Sequence, residues 1–305
     1  MVDGILNISK PRGKTSFGVV AAVKRLTGER RVGHAGTLDP EATGVLPICL
    51  GRGTRVTEFL LDTTKAYRAQ IELGVATDTY DGTGRITQVG DPSGVSWEQL
   101  ESALASFCGL IQQTPPMYSA VKHQGRRLYR LARAGVEIER RSRPARIYHV
   151  ELIDWQPPVV TTEVVCGKGT YIRSIAHDLG QALSCGANLR NLIRTRYGLF
   201  DIKDAISLSQ LETACRYNYW RHFVYPPDIV LLNWAAVIVN DDTGQLVRNG
   251  LPLVLKNDAT KRINRLIAGS SCESCCRVYT LDGCFLGMLR FNPEREQWQP
   301  EKVFV

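Results

Sequence analysis

Several features are scarce or missing in these 305 residues, and each shortage removes a class of function. No apolar stretch is long enough to cross a bilayer: the richest late run, "DIVLLNWAAVIVN", is too short and carries Asn233 inside it. The opening "MVDGILNISKP" has an early acid and no apolar core, so no signal peptide is expected. There are five scattered histidines and no H-E-x-x-H, so a zinc-hydrolase motif is lacking. The G-x-S-x-G elbow of serine hydrolases is absent as well. "RGKTS" at 12–16 misses the leading glycine of a phosphate loop, because Ile8 stands where that glycine is needed. "GRGTRV" at 51–56 lacks the third glycine of a dinucleotide loop. Both stretches read as turns.

The nine cysteines are an odd number, and Cys49, Cys108 and Cys166 lie in apolar runs, which fits reduced thiols in a cytoplasmic protein better than a disulfide scaffold. Cys272, Cys275 and Cys276 in "CESCC", with Cys284 beyond, lack the second spaced pair and the neighbouring histidine of a zinc site. No metal and no cofactor is expected.

What is present is positive charge and a sizeable apolar fraction. Hydrophobic residues make up 44% of the chain, enough for two cores. The formal net charge of +8 favours a polyanionic partner. Residues 122–146 hold nine Lys and Arg against two Glu, with Tyr129 and Tyr148 interleaved, a pattern suited to tracking phosphates. "GILNIS" at 4–9 predicts a strand, and Ser16 is placed to cap a helix that Gly28 ends. "YRAQIEL" at 67–73 alternates as a half-buried strand, with Tyr67 on the apolar face. "SWEQLESALASFCGL" predicts an amphipathic helix capped by Ser96, with Trp97, Leu100, Leu104 and Phe107 inward. "GRRLYRLARAG" predicts a helix ended by Gly135, and strands are expected near 147–153 and 159–166. Strands and helices mix without a βαβ repeat, so an α+β fold with a mixed sheet is expected. Pro226 and Pro227 mark a boundary between a domain at 1–225 and a small β-rich domain at 226–305, whose "DDTG", "RNG" and "LDG" read as turns.

Two local features point towards chemistry. "GHAGTLDPEATGVLPICLG" at 33–51 packs four glycines around Asp39. Asp39 before Pro40 is a good helix start, but Gly44 leaves barely one turn for that helix. Gly33 and Gly36 suggest that something approaches the backbone closely, a ligand among the options. Residues alone leave both readings of Asp39 open. Arg173 falls in the first turn of a helix that starts near Thr170, where a cation opposes the helix dipole, so an acid from elsewhere in the fold is expected to answer it.

"KPRGKTS", "GHAGTLDPEATGVLPICLGRGTR", "KAYRAQIELGVATDTYDGTG", "PPMYSAVKHQGRRLYRLAR" and "GTYIRSIAHDLG" occur in an order that resembles the TruB family of tRNA pseudouridine synthases over about residues 4–200. The bacterial type is more similar than the guide-RNA-dependent type. The resemblance implies isomerisation of uridine 55 in the T-loop of tRNA to pseudouridine. It also implies a largely antiparallel mixed sheet with flanking helices and a small PUA-like C-terminal domain, which "VRNGLPL" and "GCFLGMLRF" fit in outline. By the same resemblance Asp39 matches the catalytic aspartate, as nucleophile or base. Tyr67 matches the tyrosine that stacks on the target base, and Arg173 the arginine paired with the aspartate. His34 matches the histidine that fills the space left by the flipped base, and Tyr171 and Leu192 match pocket residues. Arg55 stands where a basic residue is usual. The implied partner is the tRNA T-arm, with no membrane and no obligatory protein partner, and a monomer is expected. A non-catalytic RNA-binding or RNA-folding protein is the main rival.

Overall fold

The computed structural model describes residues 2–255 and 274–304. A ten-stranded mixed sheet dominates the first part of the chain. Its strands run in the order Val224–Tyr225, Gly4–Lys10, Thr43–Leu50, Ala187–Tyr197, Lys65–Leu73, Val159–Cys166, Arg143–Gln156 and Gly109–Gln113. The short strands Val32–His34 and Phe200–Asp201 pair beside Thr43–Leu50 and Ala187–Tyr197. Every neighbouring pair is antiparallel except Thr43–Leu50 with Ala187–Tyr197. That parallel pair lies mid-sheet and brings Thr43 and Gly44 beside Ile193 and Arg194. The fold is therefore α+β with a mixed, largely antiparallel sheet, as expected.

The alternation in residues 67–73 does what period-two patterning requires. Ala69, Ile71 and Leu73 are buried against Ile175, Ala176 and Leu179 of helix Ile172–Ala182, while Arg68 is exposed. On the opposite side of the molecule, helix Ser16–Thr27 buries Val19, Val20 and Val23 against Leu6, Ile8 and Leu211. Helix Trp97–Ala105 has its Ser96–Gln99 capping box and buries Leu100 and Leu104. Trp97, expected inward, is 41% exposed at the first helical position.

Two local expectations change. The first helix is capped by Thr15, whose side chain accepts from the Gly18 N–H, and Ser16 is its first helical residue. The basic segment forms a hairpin, Lys122–His123 with Arg126–Arg127, before a short helix Leu128–Arg133.

A four-stranded sheet forms the C-terminal part, in the order Ala235–Val239, Cys275–Thr280, Phe285–Asn292, Gln297–Val303. "DDTG" is not a turn there but the start of helix Asp241–Arg248, capped by Asn240. Cys275 and Cys276 are buried in the second strand, and burial pushes the Cys276 thiol up to about 12. Cys272 lies outside the described residues. The two parts share a core: Trp234 meets Phe59 edge-on at 5.1 Å, and Met288 and Phe304 join Leu60 and Val56. Among the described residues, no helix is long and apolar enough to cross a membrane.

Candidate active site

Asp39 lies in the loop between strands Val32–His34 and Thr43–Leu50, at the mid-sheet position where the one parallel pair begins. The short helix that an Asp-Pro start could open does not form. The chain bends instead, and the Ala42 N–H donates to the Asp39 carbonyl at 3.1 Å. Of the two glycines expected to mark a close approach, Gly36 does so against protein atoms, and at Gly33 a Cβ would meet nothing nearer than Thr54 at 3.7 Å. Gly36 has φ 68°, and a Cβ there would stand 2.6 Å from the Tyr197 ring. Gly44 has φ 101°, and a Cβ would stand 2.3 Å from the Arg194 carbonyl oxygen.

The loop is fastened on both sides of Asp39. Before it, the Ser16 hydroxyl accepts from the Leu38 N–H at 2.9 Å and donates to the Leu38 carbonyl at 3.0 Å. After it, Lys10 Nζ and the Gly13 N–H both donate to the Pro40 carbonyl at 2.9 Å. Further back, Arg194 donates to the carbonyls of Gly36 at 2.9 Å and Val45 at 2.7 Å. The stretch "KPRGKTS" is thus a turn in which Lys10, Gly13 and Ser16 tie down the Asp39 loop. Burial lowers Lys10 to about 8, partly offset by Glu41 and Asp39, with Arg194 adding to the drop.

Arg173 is the second residue of helix Ile172–Ala182, whose cap position, Tyr171, offers no side-chain cap. Gln113 serves instead: its amide oxygen accepts from the Tyr171 N–H at 2.8 Å and its amide nitrogen donates to the Tyr171 carbonyl at 3.0 Å. A nearly buried cation at this end of a helix needs anions, and it has two. Arg173 Nη2 lies 2.9 Å from Asp39 Oδ2, and Nη1 lies 3.7 Å from Asp81 Oδ2. The remaining donors reach the carbonyls of Tyr118 at 2.9 Å and Thr79 at 3.3 Å. The Asp39 side chain is still 45% exposed. Desolvation on its inner side raises the carboxyl pKa above the ordinary carboxylate value, Arg173 and Lys10 pull it down, and Asp81 pushes it up. Water on the open face limits that rise, and the ion pair favours the carboxylate that nucleophilic or basic chemistry requires.

The other expected residues divide into two groups. Tyr67 stands on Lys65–Leu73, two strands from Thr43–Leu50, and packs against the core that holds Leu38. Burial raises its phenol, Asp39 adds to the rise, and Arg194, which donates to its hydroxyl, opposes it. Tyr171 is half-buried with its phenol raised by burial, and feels both Arg173 and Asp39. Leu192 sits opposite Ala69 in the same core that holds Leu38 and packs against Tyr67. His34 ends its strand opposite Ile48, and its Nδ1 has no hydrogen-bond partner among the described residues. Burial and Arg194 lower its pKa, which keeps the ring neutral. Arg55 is engaged elsewhere: its guanidinium donates to the Val303 carbonyl, and Lys302 Nζ donates to the Arg55 carbonyl at 2.8 Å, so it stands at the junction with the C-terminal sheet. Asp81, Ser16, Lys10 and Arg194 complete the site without having been singled out. Asp81 sits in an Asp-Gly step that reads as a plain turn, and Ser16 reads as a cap.

The arrangement offers a carboxylate paired with Arg173, two tyrosines whose phenols feel Asp39, and a neutral histidine beside Arg194. Known proteins share the whole chain. Residues 24–172 match the N-terminal domain of the TruB family pseudouridylate synthases, and residues 173–231 match the C-terminal domain of tRNA pseudouridylate synthase B. The tRNA pseudouridine synthase B of Dehalococcoides mccartyi strain BAV1 is 43% identical over 305 residues, covering 100% of this chain and 97% of the relative. That of Symbiobacterium thermophilum is 51% identical over 253 residues, covering 82% and 83%. Among solved structures, a Cbf5–Nop10–Gar1 complex contains a chain similar to this one, with TM-score 0.72 and 27% identity, covering 99% of this chain and 85% of that one. With relatives this similar along its full length, the chain belongs to the TruB family and is a pseudouridine-forming isomerase of tRNA uridine.

Proposed function

We propose that the substrate is uridine 55 of the tRNA T-loop, and that the chain acts on it as a cytoplasmic monomer without cofactor, metal or protein partner. The observation that carries this reading is the Asp39–Arg173 pair at 2.9 Å, set beside Tyr67 and Tyr171. The base has to leave the RNA stack before it can be reached, at a cost of a few kcal/mol. Stacking on Tyr67 returns about 1–3 kcal/mol of that. His34, neutral and with a free ring nitrogen, occupies the space the base vacates, while Leu192 and Tyr171 wall the pocket. The hairpin and helix at 122–133 track the phosphates, and Arg55 meets RNA at the junction with the C-terminal sheet.

Ionised Asp39 acts on the ribose, either by adding to C1′ or by taking a ribose proton. In both cases the N1–C1′ electron pair leaves with the uracil. The detached ring turns and forms the C5–C1′ bond, and Asp39 is regenerated as it leaves C1′ or returns its proton. The C5 proton is lost to solvent and N1 gains a proton; Tyr67, whose buried phenol stays protonated, can carry the C5 proton only as a relay that passes its own proton onward. Atoms are conserved and no electrons are exchanged with a partner, so the chemistry needs no redox group.

The test is tritium release from C5-labelled uridine in a naked tRNA transcript by the purified chain. Wild type releases tritium, Asp39→Asn does not while still binding tRNA, and a transcript with cytidine at position 55 yields none. Release by Asp39→Asn, or release independent of position 55, overturns the assignment. Sedimentation of the active enzyme tests the monomer.

A further inference from the structure

The loop at 78–85 supplies one of the two carboxylates on Arg173. Inside the loop Asp81 Oδ1 accepts from the Thr79 hydroxyl at 2.8 Å, the Thr83 hydroxyl at 2.6 Å and the Thr83 N–H at 3.0 Å, and two side chains outside the site just described, Tyr80 and His177, join the loop to the helix. Tyr80 has φ 64°, a left-handed conformation uncommon for residues other than glycine, asparagine and aspartate. With the chain turned in this way, the residues on either side of Tyr80 meet the same Arg173 nitrogen. Nη1 is 3.3 Å from the Thr79 carbonyl and 3.7 Å from Asp81 Oδ2.

The Tyr80 ring itself lies flat on His177, with centroids 3.9 Å apart and planes inclined by 13°. His177 follows Arg173 by one helical turn, so both project from one face of helix Ile172–Ala182. That face therefore grips three successive loop residues: Thr79 and Asp81 through Arg173, and Tyr80 through His177. On the other side the Leu189 N–H donates to the Tyr80 carbonyl at 2.9 Å, and the Gly82 N–H donates to the Leu189 carbonyl at 3.1 Å. His177 Nδ1 is buried and has no hydrogen-bond partner among the described residues, so what the residue offers the loop is its ring face. Burial, with Arg140 adding to it, keeps that ring neutral.

We propose that the Tyr80–His177 stack is a positioning device for the isomerisation, which locks the left-handed turn at Tyr80 and so holds Asp81 and the Thr79 carbonyl on Arg173. This rests on the reading that Asp39 is the catalytic carboxylate oriented by Arg173. The Arg173 guanidinium is set by Asp39, by the Tyr118 carbonyl and, on Nη1, by Thr79 and Asp81 of this loop. When the stack is lost, the loop shifts as a unit against the helix, the Nη1 side of Arg173 loses its fixed partners, and the guanidinium re-tilts against Asp39. Misplacement on the scale of 1 Å is enough to slow chemistry by about a hundredfold, so a partial loosening is expected to cost about tenfold.

The test compares single-turnover pseudouridine formation at saturating tRNA, and tRNA affinity, in wild type, His177→Ala, His177→Phe, Tyr80→Asn and the Tyr80→Asn/His177→Ala double variant. Asparagine keeps the left-handed preference and removes the ring. Phenylalanine at 177 restores a stacking face without a ring nitrogen. The expected result is a rate about tenfold lower in His177→Ala and in Tyr80→Asn, with tRNA affinity within about twofold of wild type. His177→Phe recovers most of the rate, and the double variant is no slower than either single one. If wild type forms no pseudouridine, the functional reading fails and this role with it. If wild type is active, the stack alone is overturned by an undiminished rate in His177→Ala, by no rescue in His177→Phe, or by losses that multiply in the double variant. Circular dichroism accompanies each variant. Should His177→Ala not fold, Tyr80→Asn carries the comparison, and unfolding of both would show a purely structural contact and overturn the proposal.

Discussion

Ser16→Ala should separate holding a helix from holding a catalytic loop. Ser16 is 2% exposed and Leu38 is 3% exposed, and the Ser16 hydroxyl meets both backbone polar groups of Leu38. Alanine removes that partner from a buried N–H and a buried C=O at once. Each such group left unmet costs about 1–3 kcal/mol, and some relaxation of the loop brings the total to about 2–4 kcal/mol. Relaxation has to carry Leu38 towards water, and Asp39 is the next residue, so the same movement takes the carboxylate off Arg173. The expected outcome is a fall of about 2–4 kcal/mol in unfolding free energy by urea titration. With it comes a single-turnover rate lower by about tenfold or more at unchanged tRNA affinity. Thr15→Ala is the control. It deletes the true cap of the same helix, one residue away, and costs about 1 kcal/mol without touching Leu38, so its rate stays at the wild-type value. The reasoning is refuted if Ser16→Ala keeps the wild-type rate, or if Thr15→Ala slows the reaction as much as Ser16→Ala does.

Three other perturbations follow from the same geometry. Asp81 raises the Asp39 pKa, so Asp81→Asn should move the acid limb of the pH–rate profile to lower pH while slowing the plateau; a limb that moves upward contradicts the assigned electrostatics. Burial raises Asp178 to about 6 from its ordinary 3.8. Below the lower value the carboxyl is neutral in both states and costs nothing; between the two the unfolded chain ionises first; above the higher value the folded state bears the full penalty. The penalty is at most about 3 kcal/mol, reduced by partial exposure, so Asp178→Asn should raise the thermal midpoint by a few degrees near pH 8 and by little near pH 4. Gly44→Ala forces a Cβ against the Arg194 backbone in a left-handed position, and should lower the urea midpoint by the equivalent of about 3 kcal/mol or more; an unchanged midpoint would mean that the two strands do not approach as described.

The legible parts of this molecule are those where one local rule decides. Alternation marked residues 67–73 as a strand, the β-branched run marked 159–166, and Gly28 marked a helix end, where it takes the left-handed cap conformation. The misplaced details are those where a distant partner overrides a local preference. Ser16 has the composition of a cap, but it is drawn away by Leu38, twenty-two residues on, and Thr15 takes its place. Asp39 has the composition of a helix start, but the Ser16, Lys10 and Gly13 contacts hold its loop in a single bend instead. Gly36 signalled close approach correctly, though the approaching atoms belong to Tyr197; Gly33, read the same way, has nothing nearer than 3.7 Å, and the close approach of Arg194 at Gly44 was not foreseen. The Arg173 argument worked because an electrostatic deficit is visible in one dimension: a cation in a first turn asks for an anion wherever the fold can supply one. That argument counts charge and says nothing about how many groups provide it. Two carboxylates answered, and the second, Asp81, is presented by a left-handed turn at Tyr80 that depends on His177 one helical turn beyond Arg173. Pairing across a helix turn and a remote loop is set by the folded backbone, so the need of Arg173 for an acid could be read from charge, whereas which acids answer it, and from which loops, required the structure.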